Sequence, residues 1–279
     1  MLAEHELKEK LETLSQNKFQ LSENDDLSIL IPAMLTYIGS TDAELRDNLI
    51  YGAIVSWVMR HDAIEKAELQ KIFLTLLDEK HLFFHIGEKD TDSIFCRSFS
   101  ALWLPPILIN HRKEAFLSES DLKEGIKKLI LFLHKEKDRR GFVDGKGWAH
   151  AIAHAADALD DFSLCTELGE IELQNILALI QKTISVSDYA YAHSEDERMV
   201  TPVLAILSRQ ILSEERIIEW IKSFEKPVKE AKAMPDGIIL RANTKNFLQS
   251  LYFRLKWNEL SIELLPPIEK TLREISLFT

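Results

Sequence analysis

The sequence has little cysteine, glycine or proline, and each shortage excludes a class of protein. Cys96 and Cys165 are its two cysteines, and no Cys-x-x-Cys pair occurs. A disulfide framework and a thiolate metal site are therefore excluded. With 9 glycines and 8 prolines in 279 residues, the chain has too few turn residues for a β-sandwich or β-barrel. This composition favours an all-α fold without a sheet.

Long apolar runs are also missing. The longest, at 101–110 and 129–133, fall well short of the roughly 18 residues that a membrane-spanning helix needs. Residues 1–18 mix charged residues with spaced leucines and lack the apolar core of a signal peptide. The net charge of −11 disfavours binding to nucleic acid or to an anionic membrane. We therefore predict a cytoplasmic protein with no membrane and no nucleic-acid partner.

Helical periodicity recurs along the whole chain, and it predicts about twelve helices. One of them, at 42–60, begins with a capping box of Thr41 and Glu44. Others are predicted at 92–110, where two prolines interrupt the pattern, and at 213–232. The helix at 120–136 carries an apolar stripe, formed by Leu122, Ile126, Leu129, Ile130 and Leu133.

The predicted helices also recur at a regular spacing. Alternate helices begin near residues 46, 96, 148, 197 and 241. The gaps, about 44 to 52 residues, lie near the HEAT-type period of roughly 40 to 47 residues. We therefore predict antiparallel helix pairs stacked in a HEAT-like superhelix, a single domain over residues 1–279, with function on its inner surface.

One segment, residues 138–161, has the composition of a functional site. At 100° per residue, a helix from residue 148 would align four polar side chains, those of His150, His154, Asp157 and Asp161. The opposite face would be apolar and buried, with Trp148, Ile152, Ala155 and Leu159. The histidine face would then be open to a ligand or to a neighbouring helix.

This histidine pattern is compatible with several kinds of chemistry. Two imidazoles four residues apart can chelate a divalent metal, with Asp157 or Asp161 as a third ligand. Alternatively, His150 or His154 acts as a general acid or base that Asp157 orients, or the group is a structural polar network. No zincin motif is present, and nearby positive charges oppose a cation. We predict no tightly bound metal and no cofactor.

The loop before the predicted helix favours an anion. Three glycines, Gly141, Gly145 and Gly147, leave backbone N–H groups accessible, and Arg140 and Lys146 add positive charge. We predict that a small anionic ligand or a protein partner contacts an inner surface to which the starts of several helices contribute. Its candidate ligand-binding residues are Arg97, Arg140, Lys146, Trp148, Arg198 and Arg241.

Three motifs carry a family resemblance. The first runs from Arg140 to Asp157 (RGFVDGKGWAHAIAHAAD), and it is accompanied by Arg97-Ser-Phe-Ser100 and Asp196-Glu-Arg-Met-Val200. Together they resemble the hallmark of the bacterial domain-of-unknown-function 2785 family. The resemblance covers most of the chain and implies a cytoplasmic all-helical protein, with no established activity or catalytic residue to carry over.

Three hypotheses follow. The first is a helical-repeat protein that binds a small anionic ligand or a protein partner. The second is a hydrolase-like enzyme that uses His150 or His154 with Asp157. The third is a purely structural scaffold, in which a neighbouring helix covers the histidines.

Overall fold

The computed structural model describes residues 2–231 and 235–278. Helices dominate this part of the chain, so the all-α prediction is confirmed. The chain divides into two compact units, Met1–Ala158 and Leu159–Thr279. The single-domain and HEAT-like interpretations stay predictions, and the last residue of the helix predicted at 213–232 lies outside the described residues.

The first unit consists of helices and one small hairpin. Its helices are α1 (Glu4–Gln16), α2 (Leu27–Thr36), α3 (Tyr51–Val55), α4 (Lys66–Leu76), α5 (Ser93–Leu102), α6 (Leu104–Lys113) and α7 (Glu119–Lys135). Two π-helical segments, Glu44–Ile50 and Ser56–Arg60, flank α3. The hairpin strands are β1 (Phe142–Val143) and β2 (Gly147–Trp148). The boundary between the units falls within α8 (Ala151–Ser163).

The helix predicted at 42–60 is present, but its cap differs from the prediction. Asp42, rather than Thr41, caps it: the Asp42 carboxylate accepts a hydrogen bond from the backbone N–H of Leu45 at 3.1 Å. A second hydrogen bond, from the backbone N–H of Asp42 to Ser40 Oγ at 3.1 Å, fixes the capping residue. The start of this helix is therefore one residue later than the sequence pattern indicates.

The helix predicted at 92–110 is two helices. α5 ends at Leu102 and α6 begins at Leu104, with Pro105 and Pro106 in its first turn. Proline has no N–H to donate, and the first turn of a helix is where that loss is tolerated. The prolines therefore separate the two helices and do not disturb either one.

The apolar stripe of α7 is buried as predicted, except that Ile130 is half-buried. Ser118 caps the helix through a reciprocal pair of hydrogen bonds with Asp121, at 3.0 and 3.1 Å. Capping of this kind satisfies backbone N–H groups that have no partner within the helix.

The described residues of the second unit form helices joined by loops. Its elements are α9 (Glu170–Ile184), α10 (Glu195–Ser208), α11 (Glu214–Ser223), α12 (Glu225–Lys229), α13 (Asp236–Trp257), a 3₁₀ turn (Ile262–Leu264) and α14 (Leu265–Ile275). Trp220, Phe224 and Phe247 form an aromatic cluster with ring centroids 5.3 to 6.2 Å apart. The indole N–H of Trp220 donates to the Leu177 carbonyl at 2.7 Å, which satisfies the polar end of this buried ring.

Within residues 2–231 and 235–278, none of the helices combines the length and the apolar character that a bilayer crossing requires. The cytoplasmic location stays a prediction.

Candidate functional site

A short β-hairpin carries the first part of the site. Phe142 pairs with Trp148 and Val143 with Gly147 in antiparallel register. Lys146 N–H donates to the Val143 carbonyl at 3.0 Å and closes the turn, in which Gly145 has φ +72°. The register places the rings of Phe142 and Trp148 side by side. The prediction of no sheet is wrong in this detail, because strands of two residues are too short to produce a periodic pattern.

Arg46 anchors the hairpin to the helical part of the first unit. Its fully buried guanidinium donates to the carbonyls of Lys146 at 2.7 Å and Ser40 at 2.5 Å. The group lies 4.2 Å from the ring centroid of Phe95 and pairs with the Asp47 carboxylate at 2.8 Å. Burial lowers the pKa of Arg46 and raises the pKa of Asp47, so the ion pair forms in partly desolvated surroundings.

His150 lies between the hairpin and α8. Its backbone has φ +48°, a left-handed conformation that costs a residue with a side chain about 1–2 kcal/mol. Its N–H donates to the Arg140 carbonyl at 3.0 Å, and its carbonyl accepts from His154 N–H at 2.9 Å. The helix begins at Ala151, so the predicted helix start at residue 148 is wrong. Only His154 and Asp157 of the predicted catalytic residues are helical.

Five rings make consecutive contacts from the surface of the first unit to its core, and we call them the aromatic ladder. In order they are Phe142, Trp148, His150, His154 and Phe99, with neighbouring centroids 5.1, 4.6, 5.7 and 5.1 Å apart. Their exposed fractions fall along the ladder, from 48% and 39% to 8%, 6% and 2%. The ladder therefore connects an exposed aromatic pair to two buried imidazoles.

The predicted faces are reversed at this point of the chain. We expected Trp148 to be buried and the two histidines to be open, but Trp148 is exposed and both imidazoles are buried. The expectation assumed helical geometry for residues 148–150, and the hairpin removes them from the helix. The Trp148 ring instead stacks on His150 with an interplanar angle of 19°.

Ser98 of α5 orients His154. The Ser98 hydroxyl donates to the Ala149 carbonyl and also lies 2.7 Å from His154 Nδ1. Because a hydroxyl has one proton, the second hydrogen bond must run from Nδ1–H to the serine oxygen. Neutral His154 is therefore the Nδ1–H tautomer, with Nε2 as the acceptor nitrogen. Ser98 is fully buried, and its hydroxyl proton is engaged in the hydrogen bond to the Ala149 carbonyl. The serine is therefore not arranged as a nucleophile.

This tautomer can be measured. A long-range ¹H–¹⁵N NMR spectrum of neutral His154 should show a protonated Nδ1 and an unprotonated Nε2. Ser98→Ala removes the acceptor and should shift the population toward the Nε2–H form, which is favoured in free imidazoles. Ser100→Ala on the same helix is the control, because the Ser100 hydroxyl donates to the Cys96 carbonyl, and this variant should leave His154 unchanged. An Nε2–H tautomer in the unaltered protein would contradict the assignment.

Arg97 has a structural environment. The side chain is fully buried, and its donors all have protein acceptors: the carboxylate of Glu136, the hydroxyl of Ser93 and the carbonyls of Phe84, His85 and Glu88. In this arrangement Arg97 has no donor left for a ligand, and we leave it out of the proposed ligand site.

Each of the two loop cations is paired with a carboxylate. Arg140 binds Asp138 through Nε at 2.9 Å and Nη2 at 2.6 Å, and this pairing raises the pKa of Arg140. Lys146 Nζ lies 2.7 Å from both oxygens of Asp92. The Lys146 pair is at the surface, whereas Asp138 is fully buried. The positive charge predicted for the loop is therefore largely neutralised by these two carboxylates.

Arg198 and Arg241 belong to the second unit. Arg198 is exposed on α10, and Arg241 donates from its guanidinium to the Ile275 carbonyl. Nearby, Asn243 is buried and forms hydrogen bonds with the backbone of Val186, Tyr189 and Tyr191, so it fastens this part of α13 to the segment before α10. A role for Arg198 and Arg241 in ligand binding stays a prediction.

Asp157 is half-buried on α8, three residues after His154. Over the part of the chain that the structure describes, no group of three His, Cys, Asp or Glu side chains is arranged as metal ligands. Sequence reasoning missed Ser98 and the carboxylates of Asp92, Glu136 and Asp138. Ser98 lies within a recognised motif, Arg97 to Ser100, but pattern alone does not reveal which imidazole it meets.

Comparisons with known proteins give one result. A family model described as "Protein of unknown function (DUF2785)" matches residues 82–253, a span that includes the whole aromatic ladder. No curated protein and no solved structure gave a significant match.

Proposed function

Because the chain belongs to the DUF2785 family, whose function is unknown, we propose a function from the geometry of the site. The first unit binds a small anionic ligand at the outer end of the aromatic ladder. Apolar atoms of the ligand pack on Phe142 and Trp148, and its anionic group pairs with Lys146. The observation that carries the proposal is the ladder's gradient from exposed to buried rings.

The exposed rings are the first support. Contiguous exposed apolar surface often marks a binding site on a protein, and Phe142 and Trp148 are adjacent and exposed. The rings of Phe142 and Trp148 are held in place, because Trp148 stacks on the buried imidazole of His150 and Arg46 donates a hydrogen bond to the hairpin carbonyl of Lys146. A prearranged aromatic surface loses little conformational entropy on binding.

The charge of Lys146 is the second support. Its ion pair with Asp92 is between two half-exposed side chains, and such pairs contribute only about 0–1 kcal/mol. An anionic ligand can therefore replace Asp92 at small cost. Arg140, two residues before Phe142, is already paired with buried Asp138, so Lys146 is the cation that the ligand meets.

The test is retention of small molecules. The purified protein is mixed with a cell-lysate fraction below about 1 kDa, a size limit suited to a pocket-sized ligand, then separated by gel filtration and denatured. Mass spectrometry identifies what was retained. We expect a compound with a phosphate, sulfonate or carboxylate group, lost in Trp148→Ala and weakened in Lys146→Gln.

Trp257→Ala is the matched control, because Trp257 is the other exposed tryptophan and lies in the second unit. This variant should retain the same compound as the unaltered protein. Retention of nothing, of a cationic compound only, or of the same compound by Trp148→Ala would each overturn the proposal. A protein in the gel-filtration peak, recovered when whole lysate is used and lost in Trp148→Ala, would assign the surface to a protein partner instead.

An enzyme is the second candidate, and the Ser98–His154 hydrogen bond favours it. A fixed tautomer directs Nε2 as a proton acceptor, as general-base catalysis requires, and Asp157 lies on the same helix. If the retained compound is converted by the unaltered protein, His154→Gln should abolish conversion and leave retention intact. If the compound is retained but not converted, only the binding role is supported. If it is neither retained nor converted, a scaffold is favoured.

A further inference from the structure

A groove in the second unit lies between the first turn of α10 and the C-terminal half of α13. Its volume is about 650 Å³, which is in the range of small-molecule sites. The walls combine aromatic rings with polar side chains, among them Asp196, Glu197, Phe253, Arg254 and Trp257. None of these residues belongs to the site proposed above.

Two of these rings are exposed and stacked on each other. Trp257 is 74% exposed and Phe253 is 45% exposed, and their centroids are 5.6 Å apart with an interplanar angle of 30°. The faces of such rings carry partial negative charge, which attracts cations and also packs well against methylene groups.

The charged side chains of the groove differ in how many hydrogen bonds they form within the protein. Arg254 Nη1 donates to the Glu197 carbonyl at 3.1 Å and to Thr201 Oγ1 at 3.0 Å, so the arginine fastens α13 to α10. Asp196 accepts one hydrogen bond from Ser250, at 2.8 Å, through a single carboxylate oxygen. Glu197 is exposed, and its carboxylate has no hydrogen bond or ion pair among the described residues. The carboxylates are therefore the groups most available to a ligand.

We propose that this groove binds an aliphatic amine, with its ammonium group at Glu197 and Asp196 and its methylene chain on Phe253 and Trp257. The net charge of −11 on the chain adds a long-range attraction for cations. A flexible amine chain suits an open groove with rings at one part and carboxylates at another.

The experiment uses putrescine, the diamine of four methylene groups, with the full chain labelled with 5-fluorotryptophan. The five tryptophans give separate ¹⁹F signals, and Trp257→Phe identifies the signal of Trp257. Putrescine at constant ionic strength should shift that signal saturably. 1,4-Butanediol, which has the same length and no charge, should not.

Two variants locate the ammonium group. Glu197→Gln should weaken putrescine binding by about two- to fivefold, because it removes the negative charge that the ammonium group meets. The variant keeps the backbone carbonyl that Arg254 binds, so the contact between α10 and α13 is unchanged. Glu219→Gln, an exposed carboxylate of α11, should leave the affinity unchanged. Absence of a saturable shift, an equal response to butanediol, or equal affinities of the two variants would overturn the proposal.

Discussion

Replacing Arg97 with methionine should lower the free energy of unfolding of the first unit by about 3–5 kcal/mol. Arg97 and Glu136 form a buried pair with two hydrogen bonds, of 2.6 and 3.1 Å, and neither side chain reaches solvent. Methionine fills much of the same volume but leaves the Glu136 carboxylate buried without its partner. Urea unfolding followed by circular dichroism measures the loss.

The double variant Arg97→Met, Glu136→Met separates loss of the pair from burial of a lone charge. It removes both charges, so it should recover about half or more of the lost stability. Lys127→Met on α7, where the lysine is exposed, should change stability by less than about 0.5 kcal/mol. A loss under about 1 kcal/mol in the single variant would show that the pair is not buried as described.

Gly147→Ala should destabilise the first unit by about 2–4 kcal/mol, from backbone strain and steric overlap together. Gly147 has φ +80°, and a Cβ there would lie 2.9 Å from Ala43 Cβ and 3.0 Å from Arg46 Nη2. The hairpin would have to move away from Arg46, which bonds the Lys146 carbonyl. The shift of the melting temperature, followed by circular dichroism, gives the magnitude.

Gly145→Ala is the control for the strain alone. Gly145 has φ +72°, and a Cβ added there meets nothing within 4 Å. Its loss should be about 1–2 kcal/mol, and the excess in Gly147→Ala then measures the close approach to Ala43 and Arg46. Equal losses in the two variants would mean that the hairpin does not pack closely on this part of the protein.

The features that could be predicted from the sequence are those with local causes. The stripe and cap of α7 follow from periodicity and from side chains near the helix start, and both signals lie within a few residues. Pro105 and Pro106 also give a local signal, an interruption of the helical pattern, although the prediction did not place the start of α6 there. No distant part of the chain has to be known for these elements.

The sequence pointed to some residues of the candidate site but not to their geometry. Composition singles out Trp148, His150 and His154. Trp148 is nevertheless exposed and the two imidazoles are buried, the reverse of the prediction, because Gly147 and His150 adopt positive φ. A helical pattern cannot foresee two such residues. The pairing of Arg97 with Glu136, which are 39 residues apart, also leaves no local signal.

Tryptophan exposure in this chain has a spectroscopic consequence. Trp57 and Trp103 are fully buried and Trp220 nearly so, whereas Trp148 and Trp257 face solvent. One of the exposed indoles lies in each unit. A collisional quencher in water, such as iodide, therefore reaches one tryptophan in each folded unit. Substituting Trp148 or Trp257 with phenylalanine leaves the other as the single surface tryptophan that the quencher reaches. In the folded protein, quenching of the remaining surface indole thus reports on the surface of one unit at a time without any attached dye.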